Sequence, residues 1–152
     1  MARYCAIATN RRKKKLVLKF LRYEAYERRR LPRIEVRTED LGDAEFAHFV
    51  TNEEGVNVGQ MSVTLLSGDG VYVRHIKTFD GFEGKKYGLS SAQWLVAAYG
   101  GLSLIPVRET TKGRLFWAAL RQRSGWHLLV RAQVSQEDLR LLVARRTSLE
   151  TK

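Results

Sequence analysis

Alternating apolar and polar residues in the middle of the chain constrain its fold more than any other feature. Successive side chains of a strand point to opposite faces, so this period of two predicts strands at 45–50, 56–66 and 71–79. The turn sequences 52–55 and 67–70, each containing glycine, separate them. The sequence therefore predicts an antiparallel meander of three strands.

The second half of the chain switches to the period of a helix, with short apolar strands in between. The predicted helices cover 89–99, 112–123 and 136–146, and the predicted strands cover 102–107 and 126–134. Together with the meander, this order predicts one domain over residues 1–152. Its expected class is α+β (α/β), with a mixed, mostly antiparallel sheet flanked by helices.

Positive charge is concentrated at the start of the chain. Residues 1–37 contain 13 Lys and Arg against 3 acidic residues, while the remaining residues contain 14 against 13. The excess lies in two clusters, 11–15 and 28–30. Such a charge attracts polyanions, including nucleic acid, a phosphorylated cofactor or an acidic protein face. The alternative is a solvated basic surface that aids solubility.

The same region predicts a basic helix over about 11–30, because apolar residues recur there at intervals of three and four. Pro32 ends this helix. A short strand at 33–37 and an acidic turn at 38–44 are predicted to lead into the meander.

Composition excludes several classes of protein. Hydrophobic residues make up 44% of the chain, which is enough for a core and excludes a wholly disordered protein. Cys5 is the single cysteine, so an internal disulfide and a cysteine-rich zinc site are excluded, and no histidine spacing predicts a metal site. With neither a membrane-spanning run nor a signal peptide, we expect a cytoplasmic protein without a membrane partner.

A strand, a loop rich in glycine and lysine, and a helix follow one another over residues 71–99. The first N–H groups of such a helix have no partner within it and its dipole is positive there, so phosphate or pyrophosphate is a favoured ligand. Gly88 lacks a Cβ and would let a ligand approach the backbone. The candidate cofactor-binding residues are Phe79, Gly84, Lys85, Lys86, Tyr87, Gly88, Leu89, Ser90 and Ser91.

Two common phosphate-binding motifs are excluded at this loop. It lacks the Gly-Lys-Ser/Thr of a P-loop. It is not a Rossmann fingerprint either, because a meander precedes it and no second strand–helix–strand unit is expected after it.

The sequence Lys-Lys-Tyr-Gly-Leu-Ser at 85–90 resembles the pyrophosphate loop of the GNAT superfamily of N-acetyltransferases, Gln/Arg-x-x-Gly-x-Gly/Ala. The central glycine matches, while lysine replaces Gln/Arg and serine replaces the last small residue. Residues 58–61 and 120–126 resemble further segments of that family, so the resemblance covers about 34–134. It implies a degenerate GNAT-like fold, with acetyl-CoA or CoA as cofactor and acyl transfer to an amine.

Acyl transfer to an amine needs a base and an acid. The resemblance makes His75 the candidate base, and the alternative is a partly buried strand histidine. Tyr99 would have to reach the thiol end of the cofactor, but its helix position places it in the core first. The tyrosine that often acts as general acid in the family falls at Arg121 here, and a helix at 136–146 replaces the family's last strand.

Three functions remain open on the sequence. The first is an N-acyltransferase that uses a CoA thioester. The second is a non-catalytic GNAT-like protein that binds another protein, such as a CoA-using enzyme, in the way a viral protein acts on a host enzyme. The third is a module that binds nucleic acid nonspecifically through residues 11–30.

Overall fold

The structure is a computed structural model that describes residues 31–66, 70–123, 126 and 129–150. Its elements in chain order are β1 (Glu35–Gly42), β2 (Glu45–Thr51), β3 (Asn57–Leu66), β4 (Gly70–Thr78), α1 (Tyr87–Ala98), β5 (Leu104–Pro106), α2 (Thr111–Gln122) and α3 (Gln136–Glu150). The predicted helix at 11–30 and Cys5 lie outside the described residues. The predicted α+β class is confirmed.

Five strands form one sheet in the order β1-β2-β3-β4-β5, and every neighbouring pair is antiparallel except β4 with β5. The predicted meander of β2, β3 and β4 is confirmed. The side-chain oxygen of Asn52 shapes its first turn by accepting hydrogen bonds from the N–H groups of Glu54 (3.1 Å) and Val56 (2.9 Å). Gly55 has a φ of 75° in this turn, a conformation that favours glycine.

The predicted acidic turn at 38–44 is wrong for most of its length. Strand β1 continues to Gly42 because its backbone stays paired with β2, from Glu35 opposite Thr51 to Gly42 opposite Glu45. The turn is confined to residues 43 and 44, which both have positive φ angles.

The predicted strand at 126–134 is also wrong. The N–H groups of Leu129 and Val130 both donate to the carbonyl of Trp126 at 2.9 Å. These short-range bonds are those of a turn and not of an extended strand. Only isolated parallel bridges join Val130 and Val134 to β5 and its end. Those bridges make β5, α2 and this segment a rudimentary strand–helix–strand unit, in the order of elements that the sequence predicted at 102–107, 112–123 and 126–134.

Helices pack on both faces of the sheet. The main core includes Val71, Val73 and Leu104 from the sheet, together with buried residues of α1 and α2. The alternate residues Tyr72 and Ile105 form a second cluster with Leu139 of α3. Because neighbouring residues of a strand face opposite ways, α3 lies on the face away from α1 and α2.

The parallel strands β4 and β5 stay together for only three residues, 71–73 with 104–106. The register between β3 and β4 shifts between Ser62 and Val63, where β4 accommodates Arg74 as an extra residue. A bulge of this kind bends its strand. The second half of β4 therefore has no neighbouring strand on its β5 side among the described residues.

Candidate functional site

The divergence of β4 from β5 opens a cleft of about 840 Å³. Its walls are the second half of β4, the glycine-rich loop, the first turn of α1, the segment after β5 and one side of α2. Ligands of parallel strand–helix units bind beyond the carboxyl ends of the strands, and this cleft has that position. Its volume is in the range of small-molecule and cofactor sites.

The free edge of β4 offers backbone hydrogen bonds to the cleft. The N–H of Phe79 donates to the carbonyl of Val58 on β3 at 2.8 Å. Because consecutive residues of a strand direct their backbone groups to opposite sides, those of Thr78 and Ile76 point away from β3. An extended ligand with amide groups can pair with this edge as a strand would.

Helix α1 begins at the cleft. Ser90 N–H donates to the carbonyl of Lys86 at 3.1 Å, so the N–H groups of Tyr87, Gly88 and Leu89 precede the first bond of the helix. Lys86 has a φ of 67° and provides no side-chain cap, and the first turn contains no acidic residue. The positive end of the helix dipole thus remains available to an anion.

Gly88 has a role that the sequence did not indicate. A Cβ built on it would lie 3.2 Å from the Cε2 atom of Phe116. The missing side chain therefore allows α2 to approach the first turn of α1, whereas the sequence suggested that it clears space for a ligand. The ring of Phe116 forms part of the cleft wall.

The charge of the cleft is mainly positive. Its basic lining residues are Arg74, Lys77, Lys86, Arg108, Lys112 and Arg123, and its acidic ones are Asp80, Glu83 and Glu109. A concave surface with this balance of charge attracts an anionic ligand.

His75 lies on the exposed part of β4 and lines the cleft. Its Nε2 atom is 3.3 Å from the side-chain nitrogen of Gln60. The amide of Gln60 can donate to the imidazole when Nε2 carries no proton. Burial, followed by the positive charges of Lys77 and Arg74, lowers the pKa of His75 below its usual 6.5. The imidazole is therefore neutral at pH 7 and able to accept a proton.

Arg121 does not line the cleft. Its Nη2 atom donates to a carboxylate oxygen of Glu109 at 3.0 Å and to the carbonyl of Arg131 at 2.9 Å. These bonds tie the last turn of α2 to the segments that precede and follow the helix. A guanidinium does not release its proton near neutral pH, so Arg121 cannot replace a tyrosine as general acid.

Tyr99 lies in the core, paired with a buried histidine that the sequence did not single out as its partner. Its hydroxyl is 2.7 Å from Nε2 of His48, whose Nδ1 is 2.8 Å from the hydroxyl of Thr38. Trp94 packs edge-on against the same imidazole, with the ring centroids 4.8 Å apart. Burial lowers the pKa of His48 from 6.5 to about 4.

Five of the predicted cofactor-binding residues line the cleft: Gly84, Lys86, Tyr87, Gly88 and Leu89. Phe79, Lys85, Ser90 and Ser91 do not line it. Both serines are buried on α1, where the hydroxyl of Ser90 donates to the carbonyl of Pro32 at 2.8 Å. The ammonium of Lys85 instead lies 5.6 Å from the centre of the Phe82 ring.

Sequence reasoning missed Arg108 and Phe116 as lining residues. Both come from the part of the chain after β5, and no local motif marks them. The order of elements did contain one signal. Strand β5 is parallel to β4, so the residues that follow β5 lie at the same sheet edge as the loop that follows β4.

Two kinds of feature are absent from the described residues. They contain no group of three or more His, Cys, Asp or Glu side chains arranged to hold a metal ion. They also contain no helix that is long and apolar enough to cross a membrane.

No family model matches the sequence. No curated protein matches it either. Among solved structures, the chain is similar to an acetyltransferase of the GNAT family from Staphylococcus aureus Mu50, with 12% sequence identity and a TM-score of 0.42. The match covers 74% of this chain and 80% of that one. A likeness of this size does not extend that protein's activity to this chain.

Proposed function

We propose that the cleft binds acetyl-CoA or CoA. One observation carries this proposal: β4 separates from β5 after Val73 and its free second half leads into the glycine-rich loop, so a free strand edge and the first N–H groups of α1 face the same cleft. Coenzyme A combines a long arm containing two amides with a pyrophosphate. The strand edge suits the arm, and the helix N-terminus beside Lys86 suits the pyrophosphate.

The activity we propose is acyl transfer from the thioester to an amine. The amine nitrogen forms a bond to the thioester carbonyl carbon, and the carbon–sulfur bond breaks. His75 would accept the proton that the amine loses, since it lines the cleft and is neutral at pH 7. The thiolate that leaves takes up a proton from the solvent or from the protein.

A second candidate is a CoA-binding protein without catalysis that docks on another protein, such as a CoA-using enzyme. The position of Arg121 favours it, because this residue ties α2 to residue 131 where the resembling family often has its acid. A third candidate, nonspecific binding of nucleic acid, depends on residues 11–30, which lie outside the described residues.

Calorimetric titration with acetyl-CoA tests the binding proposal. Ala119 is an exposed residue of α2 that lines the cleft, and its neighbour Ala118 is exposed but does not line it. We expect the wild type and Ala118→Trp to bind acetyl-CoA, and Ala119→Trp to lose binding because the indole fills the cleft. No binding by the wild type, or equal binding by both variants, would refute the proposed site.

Release of free thiol from acetyl-CoA in the presence of amines then separates the first two candidates. If His75 is the base, His75→Gln should keep its affinity for acetyl-CoA while its rate falls by about 10²–10⁴-fold. The wild-type rate should be constant above about pH 7 and decline only below the usual pKa of histidine. Binding without thiol release over a broad set of amines would favour the non-catalytic protein.

A further inference from the structure

Arg108, directly after β5, has a backbone conformation that is uncommon for its residue type. Its φ is 48°, in the left-handed region that glycine occupies much more readily. Its side chain is exposed and lines the cleft. Because a large side chain is uncommon in this backbone conformation, its presence points to a function of the side chain.

The backbone around Arg108 is held on both sides. Val107 N–H donates to the carbonyl of Val73 at 2.9 Å, and Arg108 N–H donates to the carbonyl of Val134 at 3.0 Å. Glu109 N–H donates to the side-chain oxygen of Gln133 at 3.1 Å. The base of the Arg108 side chain is therefore fixed relative to β4 and the cleft.

The next residue is anchored through its side chain as well. The carboxylate of Glu109 is paired with Arg121 at 3.0 Å, and only 4% of the Glu109 side chain is exposed. Glu109 is the one acidic residue of the segment 107–110, and its carboxylate is thus already paired with another cation. This pairing leaves the guanidinium of Arg108 without a neutralising neighbour in its own segment.

Two of the other basic groups around the cleft are paired with acidic side chains, unlike Arg108. Arg74 lies 3.0 Å from Glu45, and Lys112 lies 3.7 Å from Glu83. Within the part of the chain that the structure describes, Arg108 has no acidic side chain within 4 Å. A guanidinium keeps its charge at every physiological pH, and its planar fork matches the oxygens of a phosphate.

We propose that Arg108 binds the ribose phosphate of coenzyme A, a site separate from the one for the pyrophosphate. This inference rests on the proposed binding of CoA. The pyrophosphate is assigned to the first turn of α1, whereas Arg108 belongs to the segment between β5 and α2. Coenzyme A carries one more phosphate, a monoester on its ribose, and Arg108 offers this group a guanidinium that no acidic side chain of the described residues neutralises.

Titrations with CoA and with dephospho-CoA, which lacks only the ribose phosphate, test this assignment. We expect the wild type to bind CoA about tenfold more tightly than dephospho-CoA, as for a charge-assisted hydrogen bond. Arg108→Gln should weaken CoA binding by a similar factor and leave dephospho-CoA binding unchanged. Arg114→Gln, which removes one charge from an exposed residue of α2 that does not line the cleft, should alter neither affinity.

The outcomes distinguish this inference from the proposed function. If the wild type binds neither ligand, both are overturned. If it binds both but Arg108→Gln weakens both equally, Arg108 contacts another part of the cofactor and the assignment is wrong. If Arg108→Gln changes neither affinity, the residue does not bind the cofactor. If, in addition, the KM of this variant rises only for anionic acceptors, Arg108 recognises the acceptor instead. Arg108→Gly should reproduce the CoA-specific loss, since it removes the side chain without backbone strain.

Discussion

The buried imidazole of His48 should make the stability of this protein depend on pH. Its pKa is about 4 in the folded protein against 6.5 for an exposed histidine, and the cause is burial. Both ring nitrogens contact hydroxyl groups, which can either donate or accept, so neither protonation state lacks hydrogen bonds. The cost of protonation is therefore the transfer of a charge into the core.

Between these two pKa values the unfolded chain binds more protons than the folded one, so the free energy of unfolding falls as the pH falls. The contribution is fully present above pH 6.5 and is lost progressively down to about pH 4. With these two pKa values, the loss is about 2–3 kcal/mol at pH ~4.5 and about 3 kcal/mol once His48 is fully protonated.

Urea unfolding followed by tryptophan fluorescence measures this effect, since Trp94 packs against the imidazole. The comparison is between the wild type and His48→Gln, which keeps hydrogen-bonding groups but does not titrate. We expect the wild type to lose about 2–3 kcal/mol more than the variant between pH ~7.5 and pH ~4.5. Carboxylates contribute to both proteins and cancel. Parallel pH dependences of the two proteins would refute the assignment of a buried neutral histidine.

Three further substitutions test the packing around the cleft and the sheet. Gly59→Ala should lower the free energy of unfolding by about 1–3 kcal/mol, because its Cβ would lie too close to the backbone carbonyl of Lys77; unchanged urea unfolding would contradict that contact. Leu139→Ala should cost about 2–5 kcal/mol in the same assay, since this residue anchors α3 and is 1% exposed, and a loss below about 1 kcal/mol would mean that α3 is loosely packed. Arg108→Gly should leave the melting temperature unchanged or raise it, because glycine tolerates the left-handed backbone and up to about 1 kcal/mol of folding free energy is gained. A lower melting temperature would assign the side chain a structural role.

The meander and the helices of the second half could be predicted from the sequence because each has a strong local period. The predicted helix at 112–123 corresponds to α2 within one residue at each end. The acidic segment after residue 37 was wrongly predicted to be a turn, since charged residues are typical of turns. That segment is an exposed edge strand, where charged side chains are tolerated because they face the solvent.

The geometry of the candidate site could be predicted only in part. The glycine-rich loop before α1 was visible as a motif, and the structure places part of it at the cleft. The bulge at Arg74 and the approach of Phe116 to Gly88 arise from packing between elements that are distant in sequence. The same is true of the pair formed by Tyr99 and His48. No local pattern encodes such contacts.

A crystal structure of the protein with acetyl-CoA would test the central proposal most directly. The proposal expects the pyrophosphate within hydrogen-bond distance of the N–H groups of Tyr87, Gly88 and Leu89, and the amide-containing arm along the free edge of β4. Cofactor density at another surface of the protein, with the cleft between β4 and β5 empty, would contradict it.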